Sequence, residues 1–153
     1  MLQDATRQGY QFRVNYRPSN SISSSLTGGY RFQKNDIHPM LTVNGFLTFA
    51  QVPVINSSVS LSTNWLQTSY ANGMIYGIRL YRDLVPSKLS SEIFYRLVDY
   101  NYLNTNTNLL QHMAELELSW QISRKISFSA SYDGTFDKLN QYHSLYLSLI
   151  KRF

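Results

Sequence analysis

Ser57-Ser58-Val59-Ser60-Leu61-Ser62-Thr63-Asn64-Trp65-Leu66-Gln67 is the stretch whose reading decides the fold. Val59, Leu61 and Trp65 fall on one side of a two-residue alternation, and Ser58, Ser60, Ser62 and Asn64 fall on the other. An extended strand turns successive side chains to opposite faces, so this is a strand with one greasy face and one hydroxyl-rich face.

Outward from this stretch the period of two recurs in both directions, and a helical period is sustained nowhere. The alternation predicts strands over about 10–16, 21–32, 40–50, 57–67, 74–82, 88–100, 110–122, 126–133 and 143–153, with 1–9 as a tail or loop. Tyr10, Phe12, Val14 and Tyr16 oppose Gln11, Arg13 and Asn15, and Leu116, Leu118 and Trp120 oppose Glu115, Glu117 and Ser119. Over 88–100 both sides are apolar in part, with Leu89, Ile93, Tyr95 and Leu97 against Glu92, Phe94, Arg96 and Val98. Arg17-Pro18-Ser19-Asn20 and Ala71-Asn72-Gly73 read as turns, and Gly28-Gly29 as a bend or bulge. The result is an all-β chain, an antiparallel up-and-down meander of about nine strands in a single barrel domain or barrel segment over 1–153.

Composition narrows the setting. Charged residues make up 15% of the chain, against about 25% in ordinary soluble domains, while aromatics reach 14% with 12 Tyr. Mean hydropathy is −0.28, and no run approaches the ~20 apolar residues of a membrane-spanning helix. A barrel wall has this mixture, because alternate residues meet lipid and water. The net charge of +5 raises the question of nucleic acid, but Lys34, Lys88, Lys125, Lys138 and Lys151 all fall in predicted turns or at strand ends. No phosphate-tracking stripe forms, and no nucleic-acid partner is expected. With no cysteine, disulfides and thiolate metal sites are excluded. Met1-Leu2-Gln3-Asp4 opens no basic-then-apolar leader, so an exported protein is expected here in mature or truncated form.

Alternation alone leaves two orientations, with the greasy face outward to lipid or inward as in a soluble lipocalin-like ligand-binding barrel. The lipid orientation is expected, because the apolar face carries almost no charge in mid-strand. Its aromatics Tyr10, Tyr16, Trp65, Tyr76, Trp120 and Tyr132 are then lipid-interface residues, rings with an apolar body and a polar tip. The lumen would collect Arg13, Arg31, Arg79, Glu92, Arg96, Glu115 and Glu117. These charges either form a selective constriction or pair across neighbouring strands, Arg96 with Glu115 or Glu117 for instance.

The chain ends in Leu145, Leu147, Leu149, Lys151 and Phe153 at alternate positions. This ending resembles the terminal-strand signal of bacterial outer-membrane β-barrel proteins, with Lys151 where an aromatic residue is usual. The resemblance covers the last strand only. It implies an outer-membrane location, assembly by the barrel-assembly machinery, and a last strand running toward the periplasm. Arg17 to Asn20 and Ser123 to Lys125 would then be short periplasmic turns, and Asn101 to Asn108 and Asp133 to Tyr142 longer outer loops. Gln51 to Asn56 and Asp83 to Ser87, also periplasmic, are long for that side. Nine strands is an odd number, which points to the C-terminal part of a larger barrel or to one chain of a barrel that further strands complete.

An outer-rim enzyme is the remaining alternative. Asp36 with His38, and Asp133 and Asp137 with His143, bring acids near histidines, but no nucleophile motif or metal-ligand spacing accompanies them. His112 falls on the apolar face, where an interfacial position is expected rather than a ligand role. No catalytic residue, metal or cofactor is assigned. A structural, anchoring or porin-like transport role is the expected function, alone or within a larger complex.

Overall fold

A computed structural model describes residues 7–33, 39–53, 55–138 and 140–152. They form nine strands: β1 (Arg7–Ser19), β2 (Ile22–Gln33), β3 (Met40–Val52), β4 (Ser57–Gln67), β5 (Ala71–Val85), β6 (Leu89–Tyr102), β7 (Thr107–Ser123), β8 (Ile126–Phe136) and β9 (Gln141–Lys151). All pair antiparallel in chain order in one sheet. Among the described residues each strand touches only its sequence neighbours, so β1 and β9 do not meet and the sheet is not closed.

The register explains why the alternation is legible. Directly opposed residues share a face, and one such row runs Leu47, Leu61, Ile78, Tyr95 and Ala114 across β3 to β7. Another runs Leu89, Trp120, Phe128 and Leu149 from β6 to β9. The two-sided β6 is thereby settled, since Ile93, Tyr95 and Leu97 lie opposite Leu116, Ala114 and His112 on the greasy face.

Three local expectations are corrected. The register is regular through Gly28 and Gly29, so there is no bulge. Gly28 instead leaves room for the Phe12 ring, which lies where a Cβ would stand. Ala71, Asn72 and Gly73 belong to β5, and the turn falls at 68–70, where the Thr68 hydroxyl accepts hydrogen bonds from the backbone N–H of Tyr70 and of Ala71. The loop asymmetry is also weaker than expected. Connections run two to four residues at the end holding 20–21, 53–56, 86–88 and 124–125, and three to six at the other. The long stretches were absorbed by strands, because β8 continues through Gly134 to Phe136 and β5 continues to Val85. Register shifts mark all four hairpins at the shorter-turn end, a place where bulges commonly end pairing.

Among the described residues a hydrophobic core is missing. The buried apolar residues among those described are Ala71 and Val98, and no side chain is fully buried. The accessible surface is 11765 Å². A folded soluble monomer of 17.8 kDa exposes about 8,000 Å². The greasy faces of the strands therefore have no partner among the described residues. Leu61 is 39% exposed, Leu116 47% and Leu147 65%. In β4, β5 and β6 the polar face is the more enclosed: Ile75 and Phe94 are half-buried, whereas Tyr76 and Ile93 are exposed. β3 shows the reverse, with Asn44 and Phe46 of the polar face exposed and Val43 and Leu47 half-buried.

Candidate functional site

The polar face gathers the charges singled out in the sequence. Arg13, Arg31, Arg79, Glu92, Arg96, Glu115 and Glu117 all stand on it, together with Asp133 opposite Glu115. The two signs are spread unevenly across the sheet. Arg13 and Arg31 come from β1 and β2, and Glu115, Glu117 and Asp133 from β7 and β8. Between them β5 and β6 each carry both signs, Arg79 with Asp83 and Arg96 with Glu92.

Contacts within this group differ from the expected pairing of Arg96 with Glu115 or Glu117. Arg79 takes the acid, its Nη1 standing 3.2 Å from Oε1 of Glu92. The guanidinium groups of Arg79 and Arg96 both lie over the Phe94 ring, 4.8 and 4.9 Å from its centroid, where the negative face of the ring attracts a cation. Register places Glu92 on the diagonal of Arg79 and Glu115 on the diagonal of Arg96, and the ion pair the structure closes is the first of these. Glu92 faces Glu117 and Glu115 faces Asp133, like charges directly opposed across strands. Such pairs are unfavourable in a sheet. Glu117 accepts a hydrogen bond from Ser119 Oγ at 3.1 Å. Hydroxyl and amide side chains fill much of the remainder, as in the hydrogen bond between Thr48 and Ser60 and the one from the Asn64 amide to Asn44 Oδ1.

The greasy face holds the aromatics assigned to a lipid interface: Tyr10, Tyr16, Trp65, Tyr76, Trp120 and Tyr132. Tyr76 and Tyr132 lie toward the middle of β5 and β8 rather than at strand ends. Several polar tips find partners. Trp65 Nε1 donates to Asn72 Oδ1 at 3.2 Å, and Tyr76 Oη to Met74 S at 3.0 Å. Two tyrosine–histidine pairs were not foreseen: Tyr95 Oη to His112 Nδ1 and Tyr132 Oη to His143 Nδ1, each 2.6 Å. Only their shared two-residue parity was visible in the sequence. His112 and His143 also lie next to Phe136, His112 directly opposite it and His143 edge-on at 5.3 Å.

This placement separates the acid and histidine pairs considered for catalysis. Asp133 is on the polar face and His143 on the greasy face, so the two do not meet. Asp137 Oδ1 accepts the N–H of Asn140 at 2.6 Å, a turn contact. Asp36 and His38 lie outside the described residues. Among the described residues no group of three or more His, Cys, Asp or Glu is arranged to hold a metal ion. Leu145, Leu147 and Leu149 of the terminal strand form the greasy face of β9, and Phe153 lies outside the described residues. Comparison with protein-family models, curated proteins and solved structures gave no match.

Proposed function

We propose that this chain is part of the wall of a bacterial outer-membrane β-barrel, with its greasy face against lipid and its polar face toward an aqueous lumen. The observation that carries the reading is a largely apolar face that no described residue covers, on a sheet whose buried apolar residues, among those described, are Ala71 and Val98. Apolar area left in water costs roughly 25 cal/mol per Å², and acyl chains would remove that cost along the whole face. An inward greasy lining, as in a soluble ligand-binding barrel, would enclose Leu61, Leu116 and Leu147 instead. In hydrocarbon, strands persist only in a closed sheet, so the nine strands are one arc of a larger barrel. The barrel-assembly machinery and outer-membrane lipids are its partners, and its role is structural, anchoring or the passage of solutes. The separation of arginines on β1 and β2 from acids on β7 and β8, with both signs on β5 and β6 between them, supports passage, because a lumen polarised across its width orients and selects charged solutes.

The only two tryptophans, Trp65 and Trp120, both stand on the greasy face and supply the test. In vesicles of lipid brominated along the acyl chain, their fluorescence is quenched. Quenching by aqueous acrylamide alone, from a chain that stays soluble without detergent, would reject the membrane assignment. Ion selectivity in planar bilayers then tests passage, and a well-inserted but silent barrel would leave only the structural role.

A further inference from the structure

We infer that the shorter-turn end of the polar face, across β6 to β9, is a binding site for a phosphate ester of a polyol. Lys88, Arg124, Lys125 and Arg152 take the phosphate, and a row of serines takes the hydroxyl groups. The inference goes beyond the membrane reading and does not rest on it, since it needs only the register of these strands and the charges at their ends.

The four cations are far apart in sequence, and the hairpins bring them together. Gln121 N–H donates to Lys88 O at 2.6 Å, which ties the residue before β6 to the end of β7. Arg124 and Lys125 form the turn from β7 to β8, and Arg152 N–H donates to Lys125 O at 2.7 Å. Neighbouring strands lie about 4.8 Å apart, so these ends span roughly 15 Å from β6 to β9. Residues 86–88, 124–125 and 151–152 carry Lys88, Arg124, Lys125, Lys151 and Arg152 and no acid. The described connections 68–70, 103–106 and 137–138 at the other end carry one charge of each sign, Asp137 and Lys138. Among the described residues no carboxylate pairs with Lys88, Arg124, Lys125 or Arg152.

Inside this rim the register builds a hydroxyl row. Ser90 lies directly opposite Ser119, Ser119 opposite Ser129, and Ser129 opposite Ser148, so serines cross β6 to β9 side by side on the polar face. Ser127, opposite Gln121, fills the step between the row and the rim. Ser90, Ser119 and Ser129 line one hollow with the four cations. Its volume of 440 Å³ falls within the range of about 300–1,000 Å³ usual for small-molecule sites. The acids of the hollow, Asp83 and Glu117, already accept hydrogen bonds from Tyr81 Oη at 2.8 Å and Ser119 Oγ at 3.1 Å. Four cations less two acids leave a charge of +2, which matches the roughly −1.5 to −2 of a phosphomonoester at pH 7. Serine hydroxyls donate and accept, as the hydroxyls of a polyol do, whereas a bare anion would leave the row unused.

The test titrates the full chain, in micelles of an uncharged detergent, with an inositol monophosphate and follows backbone amide chemical shifts. Ser119, Lys125 and Ser129 should shift saturably, while Tyr70 at the opposite end should not. Lys125→Gln combined with Arg152→Gln should weaken binding roughly tenfold or more, because each removes a contact to a charged group. Lys138→Gln at the opposite end should leave binding unchanged. Inositol alone and sulfate should each bind roughly tenfold or more weakly than the phosphate ester, since each engages half of the site. A second arm presents the same group on a lipid, as a phosphatidylinositol phosphate in nanodiscs of phosphatidylcholine. Saturable shifts with the free compound assign a soluble ligand, and shifts with the lipid form alone assign a headgroup. Absence of shifts at these amides with both forms overturns the inference. So does an equal response to sulfate, or an equal loss with Lys138→Gln. Loss of bromolipid quenching at the tryptophans would remove the membrane reading and leave this site in place.

Discussion

The middle of the sheet and its two outer strands carry the same kind of side chains and meet different circumstances. β4 to β7 are each paired with a strand on both sides, and Leu61, Ile78 and Leu116 remain 39 to 47% exposed. On β1 and β9 one flank is open, and exposure climbs to 77% at Tyr10 and 68% at Leu149. Pairing in the plane of the sheet thus covers part of each side chain and leaves the rest of the greasy face bare. What remains uncovered in the middle faces away from the plane of the sheet, and what is additionally uncovered at the edges lies in that plane.

The sharpest way to break this comparison is a charge on the greasy face. Leu116→Arg in the middle of β7 should lower stability in lipid by about 2–4 kcal/mol, read by denaturant unfolding in vesicles. Leu147→Arg on the open strand β9 of the isolated chain should cost less than half of that, since its side chain is free to bend toward water. Equal costs would mean that β9 is as enclosed as β7.

The glycines make a second contrast of smaller size. A Cβ at Gly73, between β5 and β6, meets the Tyr100 ring and the Asp99 carbonyl oxygen at 2.5 Å. Backbone cannot swing aside, so Gly73→Ala should destabilise by roughly 1–3 kcal/mol. At Gly28 the obstacle is the Phe12 ring on the outer strand, which is free to rotate outward. Gly28→Ala should cost under about 1 kcal/mol by the same measurement, less than the usual penalty for overpacking. In the 68–70 turn, Thr68→Val removes the acceptor for two backbone N–H groups and should cost about 1 kcal/mol. The smallest effect belongs to the polar face. Glu92→Gln loses the contact with Arg79 but also relieves the opposition to Glu117, so stability should move by no more than about 0.5 kcal/mol. A larger loss would mean that the Arg79 pair is shielded from water.

Much of this was legible before any coordinates, and the failures are local. β4 occupies the residues read from its alternation, 57–67, because serine and leucine there leave no ambiguity of face. β5 begins earlier than Asn72-Gly73 suggested. A turn-forming pair became strand once Gly73 lay beneath Tyr100 and Asn72 met Trp65, partners 27 and seven residues away that no local pattern announces. The Arg79 and Glu92 contact was missed for a related reason. The alternation gives the face of each charge, but the diagonal that brings two charges together depends on the register of β5 on β6.

Face and strand identity were therefore determined by the sequence alone, since a period of two has one physical meaning in an extended chain. Partner choice along each face, the regular passage through Gly28 and Gly29, and the openness of the two edges were decided only by the tertiary structure. These depend on which backbone lies beside which, a relation between residues distant in the chain, and hydrophobic periodicity carries no information about it.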